Sequence, residues 1–157
     1  MSLRIVWQDG GCNASVRRRK KMTFFTPESG EIRFANGFCL RGGMAAREID
    51  SHLRYAGQEE AVFCLPGLAV TGGSIAPVCV VDGEGLRSVR LHVAAIAGRN
   101  NVPSERQRSF LFERLGLKDP CPDTRQSVRI RCPFGTLTLY SDPLTGQAGA
   151  LVEYQRI

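Results

Sequence analysis

The stretch AVFCLPGLAVTGGSIAPVCVVDGEGLRSVRLHVAA, residues 61–95, decides the fold class. AVFCLPGLAV, SIAPVCVV and LRSVRLHVAA are apolar and rich in β-branched residues. Between them stand Thr71-Gly72-Gly73 and Asp82-Gly83-Glu84-Gly85, whose backbones tolerate tight turns. In the third run Val89, Leu91 and Val93 recur at every second position, with Ser88, Arg90 and His92 between them, so one face packs and the other meets water. Connections this short join antiparallel neighbours, and the stretch reads as three strands of a meander.

Upstream of this stretch, residues 44–56 place Met44, Ile49, Leu53 and Ala56 on one helical side and Glu48, Asp50 and Arg54 on the other, with Gly57 as a stop, which predicts a helix. Downstream, PSERQRSFLFERL (103–115) predicts a second one. Pro103 suits its first turn, Gly116 ends it, and Phe110, Leu111, Phe112 and Leu115 form a broad apolar side. Residues 127–132, 135–141 and 149–157 then have strand character, divided by Pro133-Phe134-Gly135 and by Asp142-Pro143-Leu144-Thr145-Gly146. Nearer the start, Phe24-Phe25, Glu31 to Phe34 and Phe38 to Leu40 read as short antiparallel strands around Pro27-Glu28-Ser29-Gly30 and Asn36-Gly37. Leu3, Ile5 and Trp7 alternate in the opening segment, as in a strand or an ordered tether.

The order is thus helix then three strands, twice, at 44–95 and 103–157. It predicts an α+β fold: two helices packed on a predominantly antiparallel sheet, as two helix-plus-three-strand units preceded by an N-terminal hairpin. Residues 1–21 form an N-terminal strand or tether with a basic run. Residues 22–157 form one domain with halves at 22–98 and 99–157. A length of 157 residues with 43% hydrophobic and 23% charged residues suits one globular domain. No window approaches the roughly 18 apolar residues of a membrane-spanning helix, and no apolar leader precedes the basic run.

The net charge of +6 is unevenly spread: residues 1–43 hold eight of the 21 basic and three of the 15 acidic residues. Arg17, Arg18, Arg19, Lys20 and Lys21 form the densest run, whose ordinary reading is a solvated loop or linker and whose functional readings are contact with an acidic protein or, after that, with nucleic-acid phosphates through counterion release. No row of aromatic residues accompanies it to stack bases. The six cysteines, at 12, 39, 64, 79, 121 and 132, include no CxxC and no nearby histidine pattern, so neither a metal nor another cofactor is expected. Apolar neighbours mark Cys39, Cys64 and Cys79 as buried thiols, which favours a reducing, cytoplasmic setting. A periplasmic or secreted chain with bridges is the alternative, and Cys121 and Cys132, in proline-flanked positions, are the expected pair to approach each other.

NGFCLRGGMAAREIDSHL (36–53), ERLGLKDP (113–120) and FGTLTLYSDPLTGQAGALVEY (134–154) resemble segments of small bacterial helix-plus-three-strand proteins. These are related in fold to the outer-membrane assembly small lipoprotein and the β-lactamase-inhibitor protein, and more loosely to uncharacterised proteobacterial and immunity-like families. The resemblance implies protein binding by a sheet face or loops rather than catalysis. It transfers no partner-binding residue, and this chain shows no lipid-acceptor cysteine at a mature start.

Candidate chemistry is sparse. Glu48 and His52 share a side of the predicted helix, which local ion pairing explains. Cys79 and His92 would have to meet across neighbouring strands to make a nucleophile and its base. The glycine-containing turns lack the lysine of a P-loop and the spacing of a nucleophile elbow. A more informative group is Arg90, Arg125, Arg129 and Arg131: Arg129 and Arg131 alternate with Val128 and Ile130, so one face of that strand packs while the other offers guanidinium groups for carboxylates or phosphates. The resulting expectation is a non-enzymatic protein-interaction or regulatory domain, inhibitor-like or immunity-like. Its anion- or protein-binding candidates are Arg17, Arg18, Arg19, Lys20, Lys21, Arg90, Arg125, Arg129 and Arg131. A small hydrolase or transferase with a Cys/His site is the second reading, and a nucleic-acid adaptor using the basic N-terminus is the third.

Overall fold

The computed structural model describes the backbone of residues 2–7, 14–17, 24–49, 53–56, 61–120, 127–142 and 145–155. Side chains are described within 24–49, 61–120, 127–141 and 145–155. The expected meander is present and longer than predicted. β9 (Gly73–Asp82) and β10 (Gly85–Ile96) form its long central hairpin, closed by a turn in which the Glu84 N–H donates to Asp82 Oδ1 at 2.9 Å. The first run breaks in two, β7 (Ala61–Cys64) and β8 (Leu68–Val70), which pair in succession along the outer edge of β9. Prolines explain the break. The Leu65 N–H donates to the Pro77 carbonyl at 3.1 Å, so the side of Pro77 that lacks an N–H also faces this outer edge, at the gap where Pro66 and Gly67 leave the ladder.

The C-terminal strands are β11 (Val128–Cys132), β12 (Gly135–Asp142) and β13 (Gln147–Tyr154), as the turn signals predict. With β1 (Ser2–Trp7), β2 (Ala14–Arg17) and β6 (Leu53–Ala56) they complete one antiparallel sheet in the order β2-β1-β11-β12-β13-β10-β9-β7-β6, with β8 beside β9. Its register aligns buried residues across five strands: Ile130 opposes Leu137, Leu137 opposes Val152, Val152 opposes Val89, and Val89 opposes Cys79. This row is the floor of the core.

Two elements cover it. The first is α1 (Ser104–Arg114), which packs across β12 and β13 with Phe110, Leu111, Phe112 and the following Leu115 buried. It ends where expected, in a Schellman motif: Gly116, at φ 76°, donates to Glu113 O, and Leu117 donates to Phe112 O at 2.8 Å. Gln107 ties the helix to the sheet, accepting from the Ala148 N–H at 3.0 Å beyond the last register pair of β13 with β10. Beneath the helix, the buried Arg108 grips Asp119 through Nε at 2.7 Å and a terminal nitrogen at 3.0 Å.

The second cover is a separate sheet of β3 (Phe25–Thr26), β4 (Glu31–Arg33) and β5 (Cys39–Leu40), which matches the predicted short strands. Phe25, Ile32 and Leu40 join the common core. Phe25 meets Phe134 edge-on, with centroids 6.0 Å apart, and the Tyr154 hydroxyl donates to the Gly30 carbonyl at 2.7 Å. A Cβ on Gly30 would lie 2.7 Å from the Phe134 ring, and one on Gly42 would lie 2.7 Å from Tyr154, so these two glycines let the small sheet close on the aromatic pair.

The two-helix α+β expectation fails at residues 44–56, and with it the helix-plus-three-strand repeat. Among the described residues the fold is mainly β, with one α-helix. In place of the first predicted helix stands a single 3-10 turn, Ala46–Glu48, followed by an extended Ile49 and by β6, which pairs with β7. The reason is physical. Alanine at the cap position offers no side-chain acceptor, Glu48 accepts from the Ala45 N–H but caps only one turn, and the apolar positions 44, 49, 53 and 56 are too sparse for a helical stripe. Leu53 to Ala56 instead supplies hydrogen-bond partners to the free edge of β7, and sheet pairing overrides helix propensity. No described helix is long and apolar enough to cross a membrane.

Candidate functional site

The two covering elements lie on one face of the large sheet, no other described element packs on the opposite face, and Arg90, Arg129 and Arg131 lie there. Because alternate residues of a strand point to opposite faces, Val128 and Ile130 go down into the core while Arg129 and Arg131 point away, both exposed. Arg90, also exposed, shares this face between the buried Val89 and Leu91.

Register brings them together. Arg129 opposes Thr138, Thr138 opposes Leu151, and Leu151 opposes Arg90, so the two arginines stand in one row across β11, β12, β13 and β10, about 14 Å apart. Arg131 stands one pleat along from Arg129, about 7 Å away, in a parallel row through Thr136, Glu153 and Ser88. Arg129, Arg131, Thr136 and Glu153 line a shallow cleft of about 420 Å³. None of Arg90, Arg129 and Arg131 forms an ion pair among the described residues.

The rows continue past Arg90 into half-buried apolar residues, since Arg90 opposes Val78, Val78 opposes Cys64, and the neighbouring row runs from Ser88 through Val80 to Val62. The open face is therefore basic over β11 and apolar over β9 and β7. The apolar half was missed in the reading of the sequence, although its signal was there: SIAPVCVV is apolar at every position but the first, and a strand that is apolar on both sides has two faces to cover.

His92 lies two residues from Arg90 on the same face, half-buried, and its Nδ1 is shielded with no hydrogen-bond partner among the described residues. Loss of hydration, and secondarily the charge of Arg90, lower its pKa below the ordinary imidazole value of 6.5. Cys79 and His92 are not brought together: Cys79 points into the core opposite Val89, and His92 occupies the other face opposite Ala76. Burial pushes the Cys79 thiol up to about 12, and burial with the charge of Glu28 pushes that of Cys132 up to about 12, so neither is a thiolate nucleophile near neutral pH. Cys39, Cys64, Cys79 and Cys132 are free thiols, and no three His, Cys, Asp or Glu side chains among the described residues group as metal ligands.

Of the other candidates, Arg17 closes β2, whose register partner is Ser2 of β1. Arg18, Arg19, Lys20, Lys21 and Arg125 lie outside the described residues, as do His52, Cys12 and Cys121, and with Cys121 its expected approach to Cys132. Scans against protein-family models and searches of curated proteins and of solved structures find no match to this chain.

Proposed function

We propose that this chain is a non-enzymatic interaction domain whose open sheet face binds an acidic segment of a partner protein. The observation that carries the reading is the register row that sets Arg129 and Arg90 in line on one face across four strands, with Arg131 one pleat from Arg129, next to the apolar patch of Val62, Val78 and Val80. Arginine fits the task, because its planar fork engages a carboxylate bidentately and is less tightly hydrated than lysine. A cluster of arginines beside apolar area has the composition of a protein-binding surface. An aromatic platform for bases is a poorer description, since Tyr140, lying against Gly149, is the one Phe, Tyr or Trp ring on this face among the described residues. From the resemblance to inhibitor-like proteins the proposal keeps only the mode, binding by a sheet face.

The test is fluorescence anisotropy with a labelled peptide rich in glutamate and leucine. R129E/R131E loses at least about tenfold in affinity, the equivalent of one lost charge-assisted contact. R41E/R47E makes the same charge change on exposed residues of the segment that covers the other face, and leaves affinity within about twofold. Equal losses in the two variants would reduce the effect to net charge and sink the proposal.

A further inference from the structure

The basic half of the open face does not stop at β11. β1 pairs with β11 so that Arg4 is the register partner of Arg131 and Val6 that of Arg129, and β2 pairs with β1 so that Arg4 opposes Ser15 and Ser2 opposes Arg17. Register partners share a face, and positions two apart on a strand share it too. Arg4 and Arg17 therefore occupy the same face of the sheet as Arg131, Arg129 and Arg90. At Arg17 the chain leaves the edge strand β2 and enters Arg18, Arg19, Lys20 and Lys21. The sequence showed two separate basic groups, one at the N-terminus and one from residue 90 onward; strand order places Arg4 and Arg17 of the first on one band with Arg90, Arg129 and Arg131 of the second.

We infer that this band is a single track running crosswise to the strands, from Arg90 on β10 to Arg17 at the edge on β2, and that its ligand is a continuous acidic peptide stretch. The inference rests on the interaction reading above and adds the direction, length and chemistry of the bound segment. Five inter-strand steps separate β10 from β2, about 24 Å. An extended peptide advances about 3.4 Å per residue, so about seven or eight residues reach from one end to the other. Positive charge at Arg90, at Arg129 and Arg131, and at Arg4 and Arg17 complements such a stretch, while β12 and β13 between Arg129 and Arg90 carry no cation. The hydroxyls of Thr136, Thr138 and Ser88, in the rows between the arginines, offer donors to carboxylates or to the peptide backbone. Glu153, in the Arg131 row, is a local repulsive point that an evenly charged chain must straddle.

The probes are labelled oligoglutamates of about four and about twelve residues, and an oligothymidylate of the same charge as the longer one, on the full chain. The longer oligoglutamate binds at least about tenfold tighter than the shorter. R4Q/R17Q returns the longer peptide to the affinity of the shorter and leaves the shorter unchanged, whereas R4K/R17K retains the difference. Equal affinity of the two lengths, or equal weakening of both by the glutamine variant, overturns the track. Tighter binding of oligothymidylate than of the matched oligoglutamate overturns the peptide and makes a phosphate chain the occupant. A short peptide insensitive to R129E/R131E fails the underlying interaction reading instead, so the two failures are told apart.

Discussion

Asp119→Asn takes the carboxylate charge away from a buried guanidinium, and its consequence follows from the geometry. Arg108 is 2% exposed and Asp119 8%, the two are joined by two hydrogen bonds of 2.7 and 3.0 Å, and the guanidinium carbon lies 5.6 Å from the centre of the Phe112 ring. Removing one member of a buried ion pair costs about 3–5 kcal/mol, because the remaining charge keeps its desolvation penalty and loses the opposite charge that offset it. For a chain of this size that lowers the melting temperature by about 6–20 °C. Replacing both members by apolar residues, as in R108M/D119L, removes penalty and attraction together and stays within about 2 kcal/mol of the parent. The assay is urea unfolding of the parent, D119N, D119L, R108M and R108M/D119L, followed by far-ultraviolet circular dichroism, with the coupling read from the cycle of R108M and D119L. If the double variant loses as much as the two single variants combined, Arg108 and Asp119 act independently and the pair is not what holds α1 against the chain that follows it.

Gly30→Ala forces a left-handed φ of 71° on a residue with a Cβ and drives that atom to 2.7 Å from the Phe134 ring, so thermal unfolding shows a loss of about 2–5 kcal/mol. His92, held below 6.5 by lost hydration and then by Arg90, favours its neutral form in the folded state, so the unfolded chain binds the extra proton. This contribution to stability is complete above pH 6.5 and is lost as pH falls through the folded value. Denaturant midpoints measured from pH 8 to about pH 5 therefore fall less steeply in His92→Gln than in the parent.

Much of the strand content was legible because its signals are local. Alternation in LRSVRLHVAA, the Asp82 to Gly85 turn, Pro103 with Gly116 around α1, and the Pro133 to Gly135 break each act within a few residues, and each stands where expected. Residues 44–56 were misread because what decides them is remote. Their spacing is weakly helical, but β7 presents an unpaired edge, and the backbone groups of Leu53 to Ala56 satisfy it. Arg129 and Arg131 were visible as candidates from their alternation with Val128 and Ile130, whereas the company they keep was not. Thr138 and Leu151 sit between Arg129 and Arg90 through pairings of β11 with β12, β12 with β13 and β13 with β10. The last of these joins segments about 60 residues apart in the chain, and no local pattern encodes it.

By itself, the sequence determines which faces of the strands are apolar, where the turns fall, where α1 ends, and that positive charge collects near the N-terminus and on one side of β11. These follow from side-chain period, turn dihedrals and Coulomb's law, all short in range. Tertiary structure decides strand order. It alone sets β10 beside β13 and β1 beside β11, puts Arg90, Arg129, Arg131, Arg4 and Arg17 on one face, and holds Cys79 and His92 on opposite faces, because pairing between distant strands is settled by burying the common core and satisfying every ladder hydrogen bond at once.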